Sequence, residues 1–200
     1  MIRVAPSLPL PDGADVARSD ASLLEDFARG ETQALGELFD RHHAAVYRFV
    51  ARLTSTDRAD LDDLVQQTFV EVARRASQFR GAAAVRTWLF GIAVNVARHD
   101  ARSRTRRRRV IGDFGRERPS QVPGVDRPDE TAERNELLER LARAIDALPL
   151  PLREAFVACE VEDLPGAEVA RQLGIPEGTL WRRLHDARKK VRAFIEGDPA

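Results

Sequence analysis

From Leu35 onward the apolar residues of this chain fall at steps of three and four. Leu35, Leu38, Phe39, Val46, Phe49, Val50 and Leu53, with His42 among them, mark one face of a helix. The next stretch, STDRADLDDLVQQTFVEVARRASQF, repeats the pattern with Leu61, Leu64, Val65, Phe69, Val72, Ala76 and Phe79. It also crowds Asp57, Asp60, Asp62 and Asp63 near its start, where carboxylates favour the helix dipole. RGAAAV reads as a short connection. A third helix, about Val85 to Arg104, turns Val85, Trp88, Leu89, Ile92, Ala93 and Val96 inward before its tail becomes basic. Three helices of this length can close a core.

From Thr105 to about Thr131 the period fails in a mixture of Gly, Pro and charge, the composition of a flexible linker. Beyond it, Leu137, Leu138, Leu141, Ala144, Ile145 and Leu148 recur at helical spacing. Pro149 and Pro151 separate them from LREAFVACEVEDL, and Pro151 suits a first helical turn. GAEVARQL then places Val169, Ala170 and Leu173 inward. Gly174 permits a sharp turn, Ile175 fills the corner, Pro176 starts the next helix, and Leu180, Leu184, Ala187 and Val191 form its buried stripe. This pattern is a helix-turn-helix. No useful strand alternation appears. The expected fold is all-α, with a loose arm over 1–20, a helical domain over 21–104, a linker over 105–131 and a helix-turn-helix domain over 132–197.

Composition narrows the possibilities. A chain of 200 residues has room for two small domains. No apolar run approaches the roughly 20 residues of a membrane span, and the opening lacks a signal peptide's apolar core, so the expected location is the cytoplasm. The single cysteine, Cys159, cannot form an internal disulfide. It shares a predicted buried face with Leu152, Ala155 and Phe156, and no Cys/His group has zinc spacing. His42 and His43 are adjacent and point about 100° apart on a helix, so they do not chelate together; His42 reads as a core histidine. No phosphate loop or nucleophile–base pair is visible. The expectation is a protein that is not an enzyme and needs no metal or cofactor.

Charge changes the picture through its distribution. The 32 Lys and Arg balance 32 Asp and Glu, yet ARHDARSRTRRRR carries seven arginines against the one acid Asp100, while acids gather in RADLDD and DRPDETAERNELLE. Arg98, Arg102, Arg106 and Arg109 lie four, four and three residues apart, along one side of a continuing helix. The last predicted helix exposes Thr179, Trp181, Arg182, Arg183, Asp186, Lys189 and Lys190, which suits major-groove reading and phosphate contact. An ordinary solvated hairpin would look similar. Asp62, Asp63, Gln66 and Gln67 suit a basic protein partner, although capping and solvation also account for them. Arg86, Trp88, Asn95, Arg98, His99 and Arg102 could grip and stack on single-stranded nucleic acid, with Trp88 alternatively a core residue.

Taken in order, DLDDLVQQTFVEVARRASQFRG, RTWLFGIAVNVARHDARSR and LPLPLREAFVACEVEDLPGAEVARQLGIPEGTLWRRLHDARKKVR resemble an extracytoplasmic-function type sigma factor, the promoter-recognition subunit of bacterial RNA polymerase. The resemblance spans about Ala21 to Phe194. It implies binding to core polymerase (β and β′ subunits) through Asp63, Leu64, Gln66 and Gln67, with Asp62 beside them. It implies reading and opening of the promoter −10 element by the segment Arg80 to Arg102, which includes Arg80 and the six residues just named on the third helix. For the −35 element it implies Thr179, Trp181, Arg182, Arg183 and His185, with Lys189 as a further base. An anti-sigma factor is an expected partner, and membrane insertion is not.

Three departures from the family pattern stand out. Gln67 replaces a common acid, Pro165 and Gly166 replace a polar cap and an aromatic, and Trp181 and Arg182 replace smaller or singly charged residues, implying a promoter preference of its own. The linker of about 27 residues spans about 90 Å when extended, equal to about 25 base pairs. A stand-alone helix-turn-helix regulator and a helical protein-interaction adaptor are the other two classes; need for polymerase and salt dependence of DNA binding separate them.

Overall fold

The computed structural model describes residues 18–54, 56–111 and 132–197, all helices and connections with no strand among them. Residues 1–17 of the expected arm and 112–131 of the expected linker lie outside the described residues.

Helix α1 spans Asp20–Ala28, an element the periodicity did not reveal. Ser19 caps it, its hydroxyl accepting from the Ser22 N–H at 3.1 Å and satisfying one orphan donor of the first turn. Helix α2 is Thr32–Leu53 and α3 is Arg58–Arg75, the latter capped by Asp57, which accepts from the Asp60 N–H at 2.9 Å. Helix α4 runs Val85–Ile111, past the Arg104 boundary expected from composition, because arginine is a good helix former and no Gly or Pro interrupts the run from Arg104 to Ile111.

The C-terminal half begins with α5, Ala132–Asp146, and α6, Leu150–Phe156, which passes into a π-helical turn at Val157–Val161. Helices α7, Gly166–Leu173, and α8, Glu177–Glu196, form the helix-turn-helix. Gly174 adopts φ 65°, the left-handed conformation that closes α7. The Ile175 N–H then donates to the Ala170 carbonyl at 3.0 Å, which turns the chain into α8. Leu180, Leu184, Ala187 and Val191 are buried as their spacing predicts.

Two apolar clusters hold the molecule. One joins Leu23, Leu24, Leu38, Val72, Leu89 and Ile92 of α1–α4. The other crosses between the halves: Phe49, Phe90 and Val94 pack with Phe156, Val157, Leu164, Val169 and Leu173. Helix α4 is thus buried along two flanks, and only the flank containing Leu89, Ile92 and Ala93 was marked by its sequence stripe. Phe90 stacks on Phe49 with ring centres 4.2 Å apart and planes 4° from parallel. Next to it, Gly91 admits Gln172 of α7 so closely that a Cβ at Gly91 would stand 2.8 Å from the Gln172 Cβ.

Some predicted inward residues instead lie at the surface. Phe39 is 37% exposed, and Leu137 and Leu138 are about half exposed because the apolar packing of α5 on the core begins at Leu141. Cys159 is half-buried rather than fully enclosed; burial is the main reason its thiol is pushed up to about 11, which keeps it unreactive at neutral pH.

Replacing Phe90 with Ala should lower stability by about 3–5 kcal/mol, measured by urea denaturation followed through helical circular dichroism. A loss under about 1 kcal/mol would mean that the Phe49–Phe90 seam does not carry the packing assigned to it.

Candidate nucleic-acid interface

The residues proposed for nucleic acid on α4 divide between two faces. On the flank toward the C-terminal half, Arg86 lies 5.1 Å from the Phe90 ring centre and meets the Glu162 carboxylate at 2.5 Å. Arg52 reaches the other oxygen of Glu162 at 3.0 Å. About one helical turn beyond Val94 the pattern repeats with Arg98, whose Nε and NH2 donate to the two oxygens of Glu154 at 2.7 and 2.6 Å. A further N–H of Arg98 donates to the Leu173 carbonyl at 3.3 Å. The fork of a guanidinium matches both carboxylate oxygens at once, giving charge-assisted bonds of fixed geometry. Glu154 is 1% exposed, and this guanidinium meets both of its oxygens where water does not reach.

Acids from the C-terminal half engage both arginines, but Arg98 is mostly covered while the Arg86 side chain stays 44% exposed. The other face is different. Asn95, His99 and Arg102 are exposed along a groove between α3 and α4, where they meet Asp63, Gln66 and Gln67. The structure thus brings part of the expected −10 set beside part of the expected polymerase set. Leu64 lies at the floor of the same groove: it is 7% exposed and packs with the core, because it shares the stripe of Leu61 and Val65. Asp62, Asp63, Gln66 and Gln67 are all exposed.

The connection before α4 places Arg80 in solvent, with a guanidinium N–H donating to the Ser77 carbonyl at 2.7 Å. Trp88 is half-buried and meets Phe79 edge to face at 5.4 Å, so it is part of the packing under this loop. Arg171 of α7 donates to the Ala82 carbonyl at 2.5 Å, tying the same loop to the helix-turn-helix.

On α8 the expected −35 residues share an open face. Arg182, His185 and Lys189 are exposed, Trp181 is 49% exposed, and Thr179 and Arg183 are half-buried. Pro165 caps α7 without a side-chain hydrogen bond, and Gly166 follows it directly beneath the Trp181 ring.

Sequence reasoning missed an apolar groove between α2 and α3. Exposed Phe39 and Val70 line it with His43, Phe69, Asp62 and Gln66, and the Phe39 and Phe69 rings meet edge to face at 4.7 Å. Periodicity put Phe39 on the inward stripe, and only the adjoining Asp62 and Gln66 hinted that this side faces a partner. His42 is satisfied by Asp20, whose Oδ2 is 2.7 Å from Nε2. Burial raises the Asp20 pKa, but hydrogen bonds from Arg41 and His42 outweigh it and hold that carboxyl below its ordinary value. No metal-binding group occurs among the described residues.

Replacing Glu154 with Ala leaves Arg98 without its carboxylate and should cost about 3–5 kcal/mol, nearly independent of added salt. Arg74→Ala removes only an exposed bridge to Glu71 and should cost less than about 1 kcal/mol. Urea denaturation at low and high NaCl distinguishes the two.

Comparison with known proteins fits this arrangement. The family models Sigma-70 region 2 and Sigma-70, region 4 match residues 38–107 and 138–191. The chain is 36% identical over 178 residues to the ECF RNA polymerase sigma factor SigM of Mycobacterium tuberculosis (strain ATCC 25618 / H37Rv), covering 89% of this chain and 85% of that one. It is 30% identical over 183 residues to the ECF RNA polymerase sigma-E factor of Haemophilus influenzae, covering 89% and 96%. Among solved structures, CnrH in complex with the cytosolic domain of CnrY superposes with a TM-score of 0.63 at 26% identity, covering 91% of this chain and all of that one. The sigma factor RpoE of Bartonella quintana, solved with the anti-sigma factor NepR, shares the fold with a TM-score of 0.68 at 21% identity, covering 82% and 98%. With both sigma regions in order and the helix-turn-helix face open, the chain belongs to the extracytoplasmic-function family of RNA polymerase sigma factors, the promoter-recognising subunits of transcription initiation.

Proposed function

We propose that the labour of initiation divides along the chain as its two helical units do, over 21–104 and 132–197. The exposed side of α3, with Asp62, Asp63, Gln66 and Gln67, binds the β and β′ subunits of core polymerase, and the adjoining groove at Phe39 and Val70 extends that surface. The loop at Arg80 and the exposed side of α4 read the −10 element and hold its melted strand, with Asn95, His99 and Arg102 first in place. Helix α8 reads the −35 element through Thr179, Trp181, Arg182, Arg183, His185 and Lys189. The observation that carries this reading is the α8 face itself: donors stand open to solvent on one side while Leu180, Leu184 and Ala187 anchor the other.

The chain supplies no catalytic group in this scheme. It opens promoters by binding melted DNA better than duplex, which draws the equilibrium toward the open state. Contact of two separated elements requires α4 to part from α6 and α7, freeing Arg86 and Arg98 for phosphate. An anti-sigma factor that binds the closed form would hold the chain inactive; the CnrH and CnrY complex supports such a partner by analogy. Its place of action is the cytoplasm, and no helix among the described residues is long and apolar enough to cross a membrane.

The test is transcription of fragmented genomic DNA by purified bacterial core polymerase with and without the chain, mapping RNA 5′ ends. New starts that share two spaced upstream motifs are expected; no new starts with folded chain and active core would refute the scheme. On a promoter so mapped, joint replacement of Arg182 and Arg183 by Ala should weaken upstream-element recognition by at least roughly tenfold and leave polymerase binding intact. Reversal of Asp62 and Asp63 to Lys should weaken polymerase binding, measured by fluorescence anisotropy, and unchanged affinity would remove α3 from that interface.

A further inference from the structure

The open face of α8 carries one side chain whose position is set from another helix. Trp181 is 49% exposed, a high value for so large an aromatic, and it stands among donors: Arg182 beside it and His185 one turn on, both exposed. Its six-membered ring rests on Gly166, the first residue of α7. A Cβ at Gly166 would stand 2.7 Å from both Cη2 and Cζ2 of the indole, closer than real carbon contacts allow. One turn before Trp181 on its own helix is Gly178, which also lacks a side chain. The indole therefore lies down against the start of α7 instead of projecting freely. One side of it is supported by backbone and the rest is left to solvent at the helix-turn-helix surface.

This placement has a chemical consequence. Arg182, His185 and Lys189 offer hydrogen bonds, and each has hydrogen-bonding partners among base edges and phosphates. The indole is mainly an apolar plate. In the major groove the apolar feature of the base pairs is the C5 methyl group of thymine. We propose that Trp181, held down by Gly166, reads a thymine in the upstream promoter element through that methyl group. Gly166 is the positioning residue: its missing side chain fixes where the plate lies. This inference rests on the reading of α8 as the upstream-element helix, and it adds the base chemistry and the second residue.

The test uses holoenzyme assembled from core polymerase and the full chain, on a promoter mapped as described above. Each thymine of the upstream element is replaced singly by deoxyuridine, which removes the methyl and leaves every hydrogen-bonding group in place, and affinity is measured by competition. At one thymine the wild-type holoenzyme should lose about fourfold in affinity, the value of burying one such carbon. Trp181→Ala should bind the thymine promoter more weakly and treat thymine and deoxyuridine alike at that position. Gly166→Ala keeps the indole but displaces it, and should likewise lose the discrimination while retaining polymerase binding. The proposal is overturned if no deoxyuridine position affects the wild type, or if Trp181→Ala keeps the full wild-type penalty. Failure of the underlying reading looks different: joint replacement of Arg182 and Arg183 by Ala would then leave upstream-element affinity unchanged, which overturns both.

Discussion

The paired burial of Arg98 and Glu154 is the constraint on which the arrangement of this molecule turns. A carboxylate with 1% exposure is costly unless it is fully met. Here both of its oxygens accept from one guanidinium carried on another helix in the other half of the chain. Glu162 repeats the device with Arg86 and Arg52. Between these pairs the apolar seam of Phe90, Gly91 and Val94 admits α7 to close range. The apolar contacts supply the attraction, and the ion pairs fix which residue faces which, since breaking either would strand a desolvated charge.

That constraint bears directly on function. The arginines that could grip promoter phosphate on one flank of α4 are engaged by acids of the helix-turn-helix half. Asn95, His99 and Arg102 on the other flank are open, and so is the face of α8 that carries Trp181, Arg182, His185 and Lys189. A chain with formal net charge of zero can therefore carry separate exposed basic and acidic surfaces, the acidic one on α3. The same packing assigns different tasks to residues of one type: Arg98 to the seam, Arg102 to the groove, Arg153 to the carbonyls of Leu53 and Leu148.

Local features were legible in the sequence. The helix-turn-helix was read from Gly174, Pro176 and the Leu180–Leu184–Ala187 stripe, because a turn and a 3.6-residue period are properties of a short stretch. Most of the exposed set on α8 followed from the same stripe, with Thr179 and Arg183 half-buried instead. What the sequence hid was long-range. Nothing near Arg86 signals that Glu162, 76 residues later, will face it. Phe90, Val94 and Ala97 form a second apolar flank on α4 that reads as ordinary composition until α7 is packed on it. Leu64 lay on both the predicted core stripe and the family's polymerase segment, and its burial places it under that surface. Phe39 fitted an inward stripe, yet α2 and α3 leave its ring at the mouth of a groove. Helix α1 was missed because nine residues give too few repeats to establish a period.

We hold that the closed seam and the promoter-bound state are alternatives, a claim that the distance between the two halves decides. Spin labels at Arg48→Cys on α2 and Arg192→Cys on α8, in a chain with Cys159→Ser, would report the separation of the two halves by pulsed electron resonance. The free chain should give one short distance distribution, and the complex with core polymerase and promoter DNA a distinctly longer one. The same short distance in both states would contradict the claim, for it would mean that Arg98 and Glu154 stay paired while the promoter is read.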